Sequence, residues 1–154
     1  AWLVKSVKAV DNADQEVSAI KSFDPKSTAI VNNSFTKSLE GFSSGSGEGE
    51  IKLTEYQPNY LKYDATVTSG PQLAVFSEIY YPKGWKSFID GKETPHIQAD
   101  YVLRAMVVPA GKHQIEFKFE PSSYFVGNKV SLASSILLLL AIGGYLVYIF
   151  KVKK

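Results

Sequence analysis

The sequence predicts a mainly β fold: a β-sandwich or jelly-roll-like domain with one short peripheral helix, followed by a single C-terminal transmembrane α-helix. Two observations indicate this. Between residues 51 and 119, short stretches alternate apolar and polar side chains, with Gly, Pro and Asp turns between them. Near the end, no charged residue occurs from Val130 to Phe150. A helix over that run would be roughly 31 Å long, close to the thickness of the bilayer hydrocarbon core.

The composition limits the kinds of chemistry available to the chain. Its 154 residues carry a net charge of +2, and no basic stripe points to nucleic acid. The absence of cysteine excludes disulfides, thiolate metal sites and cysteine nucleophiles. About 129 residues outside the apolar run are enough for one domain with its own core. No cofactor is predicted.

The N-terminal part predicts a strand followed by the short helix. Residues 2–10 form the strand. Asn12 is a suitable N-cap because Gln15 stands three residues later, the spacing of a capping box. Val17 and Ile20 share the apolar face of this helix.

The next segment leads into a loop. Asp24-Pro25 ends the helix, because a residue before proline avoids the helical region. Residues 28–35 are a second apolar strand. The Gly- and Ser-rich residues 41–50 form a flexible loop within the domain.

The remaining domain is predicted as strands joined by turns. The clearest is the last, where Ile115, Phe117 and Phe119 alternate with polar side chains. Asp90-Gly91 signals a tight hairpin. The strands are predicted over residues 51–56, 60–68, 72–80, 85–90, 101–108 and 113–119.

The C-terminal run sets the predicted topology. Residues 129–151 form the transmembrane helix, and residues 152–154 are a lysine-rich cytoplasmic tail under the positive-inside tendency. Residues 1–128 then form an extracytoplasmic domain, placing the chain in a cell membrane with most of its mass outside the cytoplasm. Export needs an upstream signal, and the sequence opens without Met or a signal-peptide pattern. We therefore expect the C-terminal piece of a longer membrane protein, with a processed single-span precursor as the alternative.

The densest run of candidate binding residues lies near position 80. Tyr80, Tyr81 and Trp85 are suited to stacking on a sugar ring, with Glu78 and Asp90 accepting hydrogen bonds from its hydroxyl groups. The structural alternative is a hairpin whose aromatic rings fill the sandwich core. No catalytic residue is predicted, because two carboxylates on neighbouring β segments do not by themselves give the fixed separation that glycoside hydrolysis needs.

Arg104 is the only arginine in the chain and stands in an apolar strand. It is suited to contact a lipid-linked phosphate, or to pair with Asp90, Glu78 or Asp100 inside the fold. Strand alternation places it opposite Leu103, on an exposed face.

Two histidines, His96 and His113, complete the candidates. Their spacing is not that of metal ligands, so no metal site is predicted. His113 follows the Pro109-Ala110-Gly111 turn, where a solvated side chain is expected.

Three stretches carry a family resemblance as a set: FSEIYYPKGWKSFIDG, ADYVLRAMVVPAGKHQIEFKFEPSSYFVG, and the final apolar helix with its lysine-rich end. Together with YQPNYLKYDATVTSG and AWLVKSV, they resemble the C-terminus of the YfhO family of polytopic bacterial membrane proteins, in particular its Bacteroidetes-type members. The resemblance covers nearly the whole chain.

The resemblance implies a GT-C-type membrane glycosyltransferase that uses polyprenyl-phosphate-linked sugars to decorate cell-envelope polymers. The catalytic acid of such enzymes lies in an early loop that this chain does not contain, so the chain alone is not expected to be the enzyme. The expected role is acceptor glycan or polymer binding. The alternative is a scaffold that stabilises the membrane bundle or recruits an envelope partner. The expected partners are the bilayer, the remaining transmembrane part of the parent protein, and glycan or lipid-linked sugar.

Overall fold

A computed structural model of the chain describes residues 1–42, 44 and 48–152. Part of the predicted loop (residues 43 and 45–47) and the last two lysines of the predicted tail lie outside the described residues. The elements are β1 (Trp2–Val4), β2 (Ser6–Val10), α1 (Ala13–Ile20), β3 (Thr28–Asn32), a 3₁₀ helix (Asn33–Leu39), β4 (Gly49–Gln57), β5 (Tyr60–Val67), β6 (Gln72–Ile79), β7 (Trp85–Ile89), β8 (Lys92–Glu93), β9 (Ile97–Ala99), β10 (Leu103–Val108), β11 (Gly111–Phe119) and α2 (Ser122–Val152).

The chain divides into two compact units, Ala1–Phe119 and Glu120–Lys154. We call the first the β unit. It contains two antiparallel sheets, with strand orders β1-β6-β10-β9 and β4-β5-β11-β7-β8. The sheets pack face to face through side chains from both, and the rings of Tyr63, Phe76 and Phe117 meet edge to face. The predicted sandwich is confirmed.

A third layer covers the other face of the four-stranded sheet. The parallel pair β2-β3, which α1 connects, and the 3₁₀ helix pack there against a second apolar cluster. Val75 and Ala105 belong to this cluster, whereas Phe76 and Met106 face the sandwich core. The four-stranded sheet is therefore buried on both faces, which explains the continuous apolar run of β6.

The N-terminal strand differs from the prediction. Residues 2–10 form two strands in two different sheets, separated at Lys5, whose backbone N–H donates to the Ser27 carbonyl. The predicted strand over residues 28–35 ends at Asn32, because the Asn32 side chain accepts the Ser34 N–H and caps the 3₁₀ helix.

Helix α1 begins as predicted, and Ile20 packs against a small apolar cluster as expected, but Val17 does not. The Asn12 side chain accepts the Gln15 N–H at 3.0 Å, which confirms the N-cap. Val17, expected on the apolar face, is 40% exposed, and Glu16 and Ala19 are buried instead. Glu16 turns inward because its carboxylate accepts the Tyr101 N–H at 2.9 Å.

The buried carboxylate of Glu16 stabilises the turn between β9 and β10. Asp100 and Tyr101 have φ values of 49° and 71°, a left-handed conformation that costs a non-glycine residue on the order of 1–3 kcal/mol. Asp100 exchanges hydrogen bonds with the backbone of Ile30: its N–H donates to the Ile30 carbonyl, and its carboxylate accepts the Ile30 N–H. Together with Glu16, these bonds hold the turn in its strained conformation.

Helix α2 contains the predicted transmembrane segment but begins at Ser122 rather than residue 129. Its 31 residues are long and apolar enough to cross a membrane, and none of its most apolar window is buried within the protein. Ser134 and Ser135 donate their hydroxyls to carbonyls four residues earlier, so these polar groups are satisfied within the helix.

Candidate functional site

A cleft of about 270 Å³ opens where β6 ends, β7 begins and the segment after β8 passes by. We call it the aromatic cleft. It contains two of the predicted binding residues, Tyr80 and Trp85. Its lining consists of Tyr80, Pro82, Trp85, Lys86, Ser87, Glu93, Thr94, Pro95 and His96.

Tyr80 is held in place on one wall of the cleft. Its backbone N–H donates to the Val102 carbonyl at 2.7 Å. Its half-buried ring meets Phe35 and His96 edge to face, with centroid distances of 5.8 and 5.6 Å. Burial raises the pKa of the Tyr80 hydroxyl, which therefore stays protonated and able to donate a hydrogen bond at neutral pH.

Trp85 forms another wall. As the first residue of β7 it pairs with Phe119 in the sheet, and the two ring centroids lie 5.3 Å apart. The Arg104 guanidinium stacks over the indole ring at 4.1 Å from its centroid. Because it packs on the core as well as lining the cleft, Trp85 is a fixed surface.

Arg104 lies inside the sandwich, beneath Trp85. Its side chain points away from Leu103 as alternation predicted, but the expected exposure is wrong: Arg104 is only 3% exposed, because both faces of its sheet are covered. A β-bulge between β6 and β10 leaves the Ile79 carbonyl free to accept the Arg104 Nε–H at 2.8 Å.

Of the three acidic partners predicted for Arg104, Glu78 affects its charge. Burial lowers the pKa of the Arg104 guanidinium, and the charge of Glu78 opposes that change. Glu78 itself is half-buried. The arrangement makes Arg104 a support for the cleft wall, since its cation is not accessible to an external phosphate.

Sequence reasoning did not assign His96 to this site. Ser87 Oγ donates to the Thr94 carbonyl and lies 2.8 Å from His96 Nδ1. Because the serine hydrogen is already donated, Nδ1 carries the imidazole proton and Nε2 is a bare acceptor. Burial, with the charge of Arg104 adding to it, lowers the pKa of His96 to about 4, so the ring is neutral at physiological pH.

The Ser87–His96 pair is not a nucleophile and base. Ser87 is 1% exposed, and its hydroxyl is used on Thr94. Catalysis would need the opposite polarity, with the imidazole accepting the serine proton. His96 Nε2 and Arg104 Nη1 are both buried and have no hydrogen-bond partner among the described residues.

Asp90 lies at the other end of β7, roughly 16 Å along the strand from Trp85. Asp90 and Gly91 both have positive φ, as the predicted tight hairpin requires. The Asp90 carboxylate accepts the Gln114 N–H at 2.8 Å and lies 2.7 Å from His113 Nδ1. The prediction that the His113 side chain is solvated is wrong, because both ring nitrogens have protein partners. Its Nε2 contacts the Ala110 carbonyl at 3.2 Å.

These contacts set the charges of the Asp90–His113 pair. The hydrogen bonds from Gln114 and His113 lower the pKa of the Asp90 carboxyl. The bond to Asp90 raises the pKa of the His113 imidazole above its usual 6.5. The pair connects the hairpin to β11 and has no part in the aromatic cleft.

Tyr81 is also separate from the cleft. It is 49% exposed, unlike the half-buried Tyr80 beside it, and does not line the cavity. Of the six predicted binding residues, the structure therefore brings Tyr80 and Trp85 together at the cleft and places Arg104 behind them. Glu78 does not line the cavity and acts on the charge of Arg104, and Asp90 and Tyr81 lie elsewhere.

The cleft has the chemistry of a binding site for a polar ring. Two fixed aromatic walls offer stacking surface, while Glu93, Thr94 and Lys86 supply polar groups around them. Within the described residues, no group of three or more His, Asp or Glu side chains is placed to hold a metal ion.

Comparison with protein families matches residues 25–131 to a family described as "Bacterial membrane protein YfhO". The match covers well over half of the chain and includes every residue of the aromatic cleft. No curated protein matches the sequence. No solved structure matches the chain either.

Proposed function

Because this chain belongs to the YfhO family of bacterial membrane proteins, we propose that its β unit is a non-catalytic, extracytoplasmic module that binds the acceptor glycan or envelope polymer of a membrane glycosyltransferase. The observation that carries the proposal is the aromatic cleft, where Tyr80 and Trp85 face a cavity of about 270 Å³ with polar groups at its rim. Sugars offer apolar ring faces and hydroxyl edges, which aromatic walls and polar rims match.

The fixed position of Trp85 favours binding over general packing. The ring contacts Arg104 on the inside and Phe119 at its side, so little side-chain freedom is lost when a ligand stacks on it. Glu93 is exposed beside it and is able to accept hydroxyl hydrogen bonds.

The proposed topology depends on charge and aromatic positions along α2. Lys151 follows the apolar run, which favours a cytoplasmic C-terminus and an outer β unit. Tyr124 and Phe125 lie near one end of the helix, and Tyr145 and Tyr148 near the other, where interfacial aromatic residues are enriched. Other membrane spans of the parent protein are the expected neighbours of α2.

The test is polysaccharide binding by the full chain in lipid nanodiscs, measured calorimetrically against a panel of bacterial envelope polymers. We expect saturable binding of at least one polymer. Trp85→Ala should weaken it by about thirtyfold, the effect of losing an interface anchor worth about 2 kcal/mol. Trp2→Ala is the matched control, because Trp2 lies on β1 outside the cleft.

A second variant separates lost binding from lost folding. Glu93→Ala changes an exposed rim residue and leaves the core contacts of Trp85 intact, so weaker binding by this folded variant would support the site. Equal affinities for wild type, Trp85→Ala and Glu93→Ala would exclude the cleft as the binding site.

The alternative role is a scaffold for the membrane bundle. It is favoured by the ring packing of Tyr80 on Phe35 and His96, which a purely structural hairpin would also show. If the folded chain binds no envelope polymer, this role is the better account.

A further inference from the structure

We propose that the β unit rests on the lipid headgroup surface through an exposed apolar patch formed by Ile79, Tyr81, Tyr101 and Val102. These side chains are 70%, 49%, 42% and 46% exposed. The proposal concerns a surface outside the aromatic cleft and does not depend on the ligand of the cleft.

The four residues lie at the end of β6, just after it, and in the turn before β10. Ile79, the last residue of β6, pairs with Leu103, the first residue of β10. Just beyond this pair, the Tyr80 N–H donates to the Val102 carbonyl. The patch therefore joins the segment after β6 to the turn before β10.

This end of the β unit is also the end where its chain leaves. Strands β10 and β11 run in opposite directions across the short Pro109-Ala110 connection, so the start of β10 and the end of β11 lie at the same end. The stacking of Arg104 near the start of β10 on Trp85, which pairs with Phe119 at the end of β11, agrees with this.

The short connection from β11 to α2 indicates that the lipid headgroups are the partner of the patch. Only Glu120 and Pro121 separate β11 from α2, so the last residue of β11 and the first of α2 are about 10 Å apart at most. With 31 residues, α2 is about 46 Å long, which matches the 40–45 Å of a bilayer including its headgroups. A membrane-spanning α2 thus leaves no stalk to hold this end of the β unit away from the headgroups.

The chemistry of the patch suits that surface. Tyrosine places an apolar ring against lipid and its hydroxyl in the headgroup layer, and Ile79 and Val102 add apolar area. Exposed apolar side chains that adjoin one another are a feature of protein and membrane contact surfaces.

The backbone provides a second, independent observation. Tyr101 adopts a left-handed conformation that a bulky side chain rarely takes. The Tyr101 N–H donates to Glu16 and the Ile30 N–H donates to Asp100, which holds the turn in this shape. The side chains of Tyr101 and Val102 are exposed as a result. A turn held in strain to expose apolar side chains indicates a surface with a partner.

The absence of cysteine makes the test direct. Single variants Ile79→Cys and Lys112→Cys of the full chain are labelled with an environment-sensitive fluorophore and reconstituted in phosphatidylcholine–phosphatidylglycerol vesicles with headgroup spin-labelled lipid. Lys112 is the matched control, because it is exposed near the start of β11, roughly 20 Å along the strand from Phe119.

We expect spin-labelled lipid to quench the fluorophore at Ile79 and to leave the one at Lys112 unchanged. Tyr81→Cys should behave as Ile79→Cys and replaces it if that variant does not fold. Absence of quenching at both patch positions, or equal quenching at Lys112, would overturn the proposal, the first result indicating that a protein surface covers the patch.

Discussion

Replacing Glu16 should separate a buried hydrogen bond from a buried charge. Glu16→Ala is expected to lower the free energy of unfolding of the β unit by about 2 kcal/mol, whereas Glu16→Gln is expected to change it by less than about 0.5 kcal/mol. Glu16 is 4% exposed, and its carboxylate accepts the N–H of Tyr101, a residue in a left-handed conformation.

The expected magnitude depends on one hydrogen bond of the Glu16 carboxylate and on its charge repulsion with Asp100. A hydrogen bond to a charged group contributes about 1.5–3 kcal/mol, and Ala leaves the Tyr101 N–H without its acceptor. The loss is partly offset because the charge of Glu16 also acts against the nearby Asp100. Gln keeps a carbonyl oxygen for Tyr101 and removes that repulsion, so the two changes nearly cancel.

The stability of the β unit should also depend on pH through Asp100. Burial, together with the charge of Glu16, raises the pKa of Asp100 above 3.8, against the opposing Ile30 N–H. A carboxyl whose pKa is higher in the folded state stabilises the fold fully below 3.8 and loses that contribution as pH rises through the folded pKa. Glu16→Gln should lower the pKa of Asp100. The free energy of unfolding of this variant should therefore fall less than that of the wild type between acidic and neutral pH.

Urea titration of the full chain in detergent micelles measures these differences. Both tryptophans of the chain, Trp2 and Trp85, lie in the β unit, so their fluorescence follows this unit alone. Equal destabilisation by the two variants, or a cost of Glu16→Ala below about 0.5 kcal/mol, would refute the assignment of this hydrogen bond as a constraint on the turn.

Three further predictions concern the core and the histidines. Phe117→Ala should cost about 3–5 kcal/mol in urea unfolding, because Phe117 is fully buried among aromatic rings; a cost below about 1 kcal/mol would contradict that packing. The Asp90–His113 pair should stabilise the fold by up to about 1 kcal/mol, an advantage lost as pH falls through the lowered pKa of Asp90 or rises through the raised pKa of His113. His113→Gln should remove the loss at high pH and reduce the loss at low pH, where the Gln114 N–H still lowers the pKa of Asp90. A difference in melting temperature between wild type and this variant that does not vary with pH would argue against the pair. Because His96 is neutral when folded, wild type should lose stability relative to His96→Gln as pH falls from 6.5 to about 4, and parallel pH profiles would contradict this.

The parts of the fold that depend on local signals could be predicted from the sequence. The Asp90-Gly91 hairpin has the positive φ values that its residues favour, and Ile115 and Phe117 face the core as their alternation requires. The N-cap at Asn12 is equally local, since donor and acceptor are three residues apart.

Features that depend on distant partners could not be predicted. The chain changes sheet at Lys5 because β1 pairs with β6 and β2 with β3, and nothing within residues 2–10 specifies those partners. Glu16 is buried through a residue 85 positions away. Strand alternation predicts the correct side of β10 for Arg104, but its burial depends on a second layer that covers the sheet.

Some residues of the candidate site could likewise be predicted from local sequence, and others could not. Tyr80 and Trp85 could be identified because aromatic residues are dense in that segment, and Tyr81 could not be separated from them without the strand geometry. His96 has no sequence signal linking it to Ser87; the β7-β8 hairpin brings the two together.

The most direct test of polymer binding at the aromatic cleft is an indole nitrogen–proton NMR spectrum. It is recorded on the full chain in nanodiscs during titration with envelope polysaccharide. The chain has two tryptophans, so the spectrum has two indole signals, which Trp2→Phe assigns. We expect the Trp85 signal to shift and saturate while the Trp2 signal stays in place, because only Trp85 lines the cleft. If the Trp85 signal does not move when a polymer binds, the aromatic cleft is not its binding site.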